Sequence, residues 1–396
     1  MTAIDVVVMA AGKGTRMKSS MPKVLHPLAG RALVQHVAHT AAQLGARHAV
    51  FVTGHGAEQV EAFLRQANPG QKLGFARQEP QLGTGHAVMQ AMPLLPEDGM
   101  VVVLSGDVPL ITASSLTRLT QACGGQKLAL LTVCPPDPTG YGRVVRNEQE
   151  QVQAIIEQKD ATEAQKAIGE IYSGIMAAPA GLLRGWLARL DNRNAQSEYY
   201  LTDVVAKAVA DGVEVVAIRS DDLAEVAGVN SPAQLAELER IHQRRQAEQL
   251  MHQGVRLLDP ARFDLRGELV CGSDVQIDVN CVFSGRVELG SGVSIGAEVV
   301  ALHTIFELVR MTGCRVHLCR LSSARGIDLV RAAKQEGLPV SADVSINHVH
   351  LTDIDIGYFN PMARMVPPLR STRDRDAINT ALIDGTIDAI CSDHCP

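Results

Sequence analysis

The stretch Ile4-Asp5-Val6-Val7-Val8-Met9-Ala10-Ala11-Gly12-Lys13-Gly14-Thr15-Arg16-Met17 decides how the rest of the chain is read. Ile4 to Ala10 is an apolar run of the buried-strand type. Gly12 to Gly30 is rich in Gly, Lys and Pro and reads as loop. Beyond it, helix signals cover 32–44, 58–66 and 85–92, and strand signals cover 49–52, 100–104 and 127–133. This order predicts a mostly parallel sheet with helices on both faces, in which ligands bind at the carboxyl ends of strands. The loops after Met9 and after Leu104 are therefore the places where chemistry is expected.

Composition bounds the possibilities. A chain of 396 residues that is 46% hydrophobic is a globular protein of two or three domains, not a disordered one. Its net charge of -6 argues against nucleic acid as a general partner, while leaving room for a local anion site. No apolar run is long enough for a membrane helix, and the acidic Asp5 stands at the start of the first strand-like run where an export signal would carry basic residues. The eight cysteines are scattered without a paired framework, so they read as reduced thiols of a cytoplasmic protein.

The character of the chain changes twice. Ser231-Pro232 opens a helix over 231–253 in which Leu235, Leu238, Ile241 and Leu250 form a sparse stripe among polar residues, the pattern of a solvated connector. Val275, Cys281, Val287, Val293 and Val299 then recur six residues apart, with small or Gly turns between them, which is the signature of a β-helix. After Val300 the period stops. Helices are expected at 303–311 and 326–336, and short strands at 314–318, 339–344 and 387–391. The expected domains are thus 1–230, the connector 231–253, a repeat over 254–300 and a different segment over 301–396.

Two local signals carry chemistry. The loop after the first strand places Gly12 and Gly14 among the cations Lys13, Arg16 and Lys23, so its backbone N–H groups and positive side chains suit a polyphosphate. It is neither a P-loop nor a dinucleotide fingerprint, since Met17 stands where the third glycine belongs, and an ordinary strand-to-helix turn remains the alternative. Asp107, in Leu104-Ser105-Gly106-Asp107-Val108-Pro109, puts a carboxylate at the end of a buried strand, where it suits Mg²⁺ or serves as a plain turn residue.

Together these motifs resemble a known family. Gly12 to Met17 with Pro22-Lys23-Val24-Leu25 is similar to the sugar-1-phosphate nucleotidyltransferase signature. Gln81-Leu82-Gly83-Thr84-Gly85-His86-Ala87, Pro138-Thr139-Gly140-Tyr141-Gly142-Arg143, Ile156-Glu157-Gln158-Lys159-Asp160 and Glu198-Tyr199-Tyr200-Leu201-Thr202-Asp203 narrow it. They resemble the bifunctional N-acetylglucosamine-1-phosphate uridylyltransferase/glucosamine-1-phosphate acetyltransferases over about residues 3–299. The resemblance implies a Rossmann-like nucleotidyltransferase domain, the substrates UTP and N-acetylglucosamine-1-phosphate, and Mg²⁺ as cofactor. It implies that Ala10, Ala11, Gly12 and Gln78 hold uracil and neighbouring phosphates, with Gly83 and Thr84 as a further uridine contact. Arg16 and Lys23 become the catalytic cations, and Asp107 and Asn230 the metal ligands, with Ser105 and Gly106 beside Asp107. Gly142 and Glu157 become sugar contacts, and Tyr172 stands where the family has Asn, which leaves the choice of sugar-1-phosphate open.

The family continues into a long left-handed β-helix with the acetyltransferase site. Here only its first turns are expected, so acetyl transfer is predicted to be absent, and the family homotrimer, built largely through the missing coils, loses its basis. Residues 303–396 resemble instead the later part of a dihydroorotase, an amidohydrolase with a TIM barrel, on Arg315 to Ser323, Asp343 to His348, Pro367 to Ser371 and Asp384 to His394. Arg320 stands at an expected metal-ligand histidine, whereas His348 and Asp393 match a later histidine and the late aspartate. A guanidinium cannot ligate a metal, so the likeness is to the non-catalytic dihydroorotase-like chains, as an incomplete barrel without hydrolase activity. A role as an assembly subunit beside a carbamoyltransferase is the alternative function, and a gene-level join near residue 300 is the implied origin.

Overall fold

In the computed structural model the described residues are 2–68, 73–357, 365 and 367–392, and they form two compact units, Met1–Gln243 and Arg244–Pro396. The expectations for Asp393 and His394 lie outside the described residues.

The first unit is built on one sheet. Its strands in chain order are β1 (Ile4–Met9), β2 (His48–Thr53), β3 (Leu73–Arg77), β4 (Met100–Ser105), β5 (Leu128–Val133), β6 (Arg143–Arg146), β7 (Val152–Ile156), β8 (Ile171–Pro179) and β9 (Val215–Arg219). The order across the sheet is β9-β5-β8-β4-β1-β2-β3, with β6 and β7 attached at β8. β1 pairs in parallel with both β2 and β4. β8 runs antiparallel to β4 and β5, the exception within the mostly parallel sheet that the sequence pattern predicts.

Alternating side chains of these strands feed two cores. Val7, Val101 and Val103 enter one with Leu128, Leu130 and Trp186. Val6, Val8, Val102 and Leu104 enter the other with Phe51, Leu116 and Leu119. Burial on both faces explains the long apolar runs. Asp5, the one charged residue in β1, is fully buried and is matched by Arg47 at 2.7 Å and His48 at 2.9 Å. Such a buried carboxylate requires partners of this kind.

The chain runs from β1 outward to β3 and then returns to place β4 on the other side of β1. The strand order therefore reverses between β1 and β4, and a crevice opens at their carboxyl ends. The helix Pro232–His252 is more than a solvated connector. Leu238 is buried, and Leu235 and Ile241 pack with it against Leu28, Leu33, Leu110 and Val229.

The second unit begins with short parallel strands. Phe263–Cys271 pairs with Cys281–Leu289 in nine-residue register at a spacing of 18, and Gln276–Ile277 pairs with Ser294–Ile295 at the same spacing. Eighteen residues are three of the six-residue periods read from the sequence. Val275, Ile277, Cys281, Phe263 and Leu265 point into a common core. The repeat ends earlier than the period suggests, because Val299 belongs to a helix, Ala297–Thr312. Leu302, Phe306 and Val309 sit on one face of that helix at helical spacing and are buried with Leu318 and Val330. The last part of the unit is a three-stranded parallel sheet, Val316–Leu318, Val340–Ser345 and Ala389–Cys391, rather than a closed barrel.

Leu104→Ala is expected to destabilise the first unit by about 2–5 kcal/mol, the cost of an unfilled cavity at a fully buried leucine. Urea unfolding followed by the fluorescence of Trp186, the only tryptophan of the chain, measures this directly.

Candidate active site

The crevice at the switch point is a cavity of about 1250 Å³. Ala10, Ala11, Gly12 and Lys13 line one side, Gln78, Gly83 and Thr84 another, and Ser105 and Asp107 the floor. Within the loop, Ala10 N–H donates to Val52 O at 2.8 Å and ties the loop to the sheet. The backbone N–H groups of Gly12, Lys13 and Gly14 have no protein acceptor among the described residues. Free donors beside cations form a concavity suited to anionic oxygens. Gly14 has a φ of 59°, and a Cβ there would lie 2.6 Å from Lys23 Cβ, so only glycine lets the loop cross the lysine stem. Thr15–Met17 is a single 3₁₀ turn whose Met17 is buried, which leaves Arg16 exposed at the rim, outside the cavity lining.

Three distant segments meet at one point. The Lys23 ammonium forms an ion pair with Asp107 and donates to Asn230 Oδ1 at 3.2 Å. Val229 N–H donates to Asp107 O at 2.9 Å, which locks the loop before the long helix to the end of β4. One carboxylate and one amide oxygen thus converge on a single positive group. Hard oxygen donors of this kind suit Mg²⁺, with remaining positions left to water and phosphate. Gly106 packs behind this point, where a Cβ would come within 3.2 Å of Met9 O.

The opposite wall is a clamp between two loops. Gln78 is buried, and its amide donates to Gly83 O at 2.8 Å. Gly83 has a φ of 105°, and a Cβ there would meet Tyr199 O at 2.7 Å. Tyr199 N–H donates to Leu82 O and Gly85 N–H to Tyr199 O, both at 2.8 Å, while Thr84 Oγ1 accepts from Leu201 N–H at 3.0 Å. Gln81 donates its amide to Ala11 O and joins this clamp to the glycine loop. In sequence Gln81 is only one position of a motif, and its role is visible only once the two loops meet.

Gly142, Glu157 and Tyr172 form a separate cluster, and none of the three lines the cavity. Tyr172 N–H donates to Gly142 O at 2.9 Å, and a Cβ on Gly142 would lie 3.7 Å from the Glu157 carboxylate. Thr202, also missed at the sequence level, donates its hydroxyl to Glu157 Oε1 at 3.0 Å. Burial pushes the Glu157 carboxyl above the usual glutamate range, and Asp203, Asp160 and Glu198 push it the same way against the Thr202 bond. Burial also raises the Tyr172 phenol well above its ordinary value, with Glu157 adding to the effect. The Tyr172 hydroxyl is buried and has no hydrogen-bond partner among the described residues.

A carboxyl whose folded pKa is raised binds its proton more tightly in the folded state, so stability falls as pH rises through the window between the ordinary and the raised value. Glu157→Gln is expected to remove that part of the decline while keeping an acceptor for Thr202. Urea unfolding of both proteins from pH 4 to pH 8 tests this, and parallel stability–pH curves would exclude a raised Glu157 pKa.

Residues 6–188 match the family of the MobA-like NTP transferase domain. The chain is 66% identical over 305 residues to "Bifunctional protein GlmU" of Paracidovorax citrulli, which covers 75% of this chain and 64% of that protein. It is 64% identical over 300 residues to the protein of the same name from Methylibium petroleiphilum, covering 75% and 65%. The chain therefore spans about 64–65% of the length of these curated relatives. A UDP-glucose pyrophosphorylase solved with UDP-glucose aligns over 62% of this chain and 100% of its own, with 16% identity and a TM-score of 0.50, a likeness of fold alone. The first unit thus has a Rossmann-like fold that matches an NTP transferase domain over residues 6–188, within an N-terminal three quarters similar in sequence to bifunctional GlmU proteins.

Proposed function

We propose that the first unit transfers UMP from UTP to N-acetylglucosamine-1-phosphate, releasing pyrophosphate and forming UDP-N-acetylglucosamine, a precursor of the cell wall. The observation that carries this reading is the convergence of Lys23, Asp107 and Asn230 beside a glycine loop with free N–H donors, in a chain 66% identical to a GlmU protein.

The sugar phosphate oxygen attacks the α-phosphorus of UTP in line, and the bond to the β-phosphate oxygen breaks. Gly12, Lys13 and Gly14 hold the polyphosphate through their N–H groups, and Gln78, Gly83 and Thr84 position the base and ribose. Lys23 exchanges its two oxygen partners for a substrate phosphate oxygen. Arg16, free at the rim, stabilises charge on the departing pyrophosphate. Asp107 and Asn230 would hold Mg²⁺, which when bound neutralises charge on the phosphate oxygens as a Lewis acid. Gly142 and Glu157 face the sugar, with Tyr172 behind them. No covalent intermediate is needed, so the contribution of the protein is position and charge. Acetyl transfer and amidohydrolase activity are absent in this reading, and the repeat and the C-terminal sheet are the beginning of a β-helix and part of a barrel.

The test is pyrophosphate release by the full chain from UTP and N-acetylglucosamine-1-phosphate, with and without Mg²⁺. Metal-dependent release is expected, and silence under both conditions would sink the assignment. A second reading, another sugar-1-phosphate, is favoured by Tyr172, and faster turnover of glucose-1-phosphate in the same assay would establish it. Asp107→Ala is expected to abolish the metal-dependent rate. Arg16→Ala is expected to lower turnover by about a hundredfold or more, the loss typical of one charge-stabilising group. Equal rates in wild type and Arg16→Ala would remove Arg16 from the mechanism.

A further inference from the structure

We infer that the second unit holds a metal site of its own, made by His317, Cys319 and Asp343, which takes a divalent transition metal of the Zn²⁺ type. The three residues lie at the carboxyl ends of two adjacent parallel strands. His317 pairs with Ser341 in the register, and Asp343 is two residues further along. His317 and Cys319 are exposed and flank Leu318, which is buried on the other face with Ala342. The ligand atoms therefore share the open face of this small sheet. One ligand atom from each residue lies within 4.8 Å of the other two.

The outer contacts orient two of the three ligands. His317 Nδ1 lies 2.8 Å from Ser341 Oγ, which leaves Nε2 facing Asp343 Oδ2 at 3.0 Å. Arg320 adopts a φ of 57°, and its backbone N–H donates to Asp343 Oδ1 at 2.6 Å, so the carboxylate is held with Oδ2 turned toward His317 Nε2. A hydrogen bond on the far nitrogen of a histidine and another on the far oxygen of a carboxylate are the supports that fix metal ligands. Cys391 on the third strand also reaches Asp343 with its thiol. One imidazole, one thiolate and one carboxylate balance the charge of a divalent ion, and the nitrogen–sulfur pair selects Zn²⁺ over Mg²⁺. Binding converts the Cys319 thiol to thiolate and releases its proton to solvent. None of the three is a residue that the dihydroorotase resemblance places at a metal, and the site is independent of the proposed uridylyl transfer.

Co²⁺ titrated into the full-length reduced chain tests this by absorbance. A near-ultraviolet band from thiolate-to-cobalt charge transfer is expected to saturate and to disappear on addition of Zn²⁺. The oxygen ligands Asp107 and Asn230 cannot produce that band. Cys319→Ser is expected to abolish it, with circular dichroism unchanged, and Cys314→Ser to leave it intact. Ser341→Ala is expected to weaken Co²⁺ binding by about tenfold or more, as the loss of an outer contact does. No charge-transfer band in the wild type, or a band that survives in both Cys319→Ser and His317→Gln, would overturn the site.

Discussion

The contact among Lys23, Asp107 and Asn230 is the constraint on which the rest of the first unit turns. Lys23 is 84 residues from Asp107 and 207 from Asn230 in sequence. Bringing them together requires β4 beside β1, so that Asp107 emerges next to the glycine loop. It also requires the loop before the long helix to return to the same edge, which the bond from Val229 N–H to Asp107 O secures. Leu238 then anchors the helix on Leu28 and Leu33, close to the loop that carries Lys23. Sheet order, loop closure and helix packing thus serve one cluster of charges. Within a partly enclosed crevice such a cluster acts far more strongly than it would in water.

Glycine and lysine share the work in the loop after β1. A loop that must expose several N–H groups cannot spend them on its own turns, so it has to be held from outside. Ala10 is held by β2, Ala11 accepts from Gln81, and Met17 is buried. The segment between these anchors keeps its donors free. The same arrangement explains why the cavity is polar at one end and closed by a peptide clamp at the other. The Gln78–Gly83 and Tyr199–Leu82 bonds fix this wall of the cavity without any charged group.

Much of this was legible in the sequence because it is local. The apolar runs of β1 and β4 named the central strands, and the loops that follow them named the crevice. The three loop cations were visible by spacing. What escaped was non-local. The antiparallel β8 and the attached pair β6 and β7 have ordinary strand patterns but no local mark of direction. The roles of Gln81 and Thr202 depend on partners 70 and 45 residues away. Arg16, by contrast, was singled out from the loop pattern but stands at the rim, because a short turn anchored by Met17 directs it outward.

The end of the repeat follows from competition between two periods in one stretch. Val293 and Val299 continue the six-residue spacing, yet Leu302, Phe306 and Val309 already carry helical spacing. A rung at Val299 would need a further turn to cover it. A helix starting at Ala297 instead buries its apolar face against Leu318 and Val330. Glu298 fixes that choice. Its carboxylate accepts from the backbone N–H and hydroxyl groups of both Ser322 and Ser323, at 2.6 to 3.1 Å. Four hydrogen bonds to a charged acceptor tie the first turn of the helix to the segment that opens the next one, Ala324–Gln335. The repeat therefore stops where a helix has partners and a further rung has none.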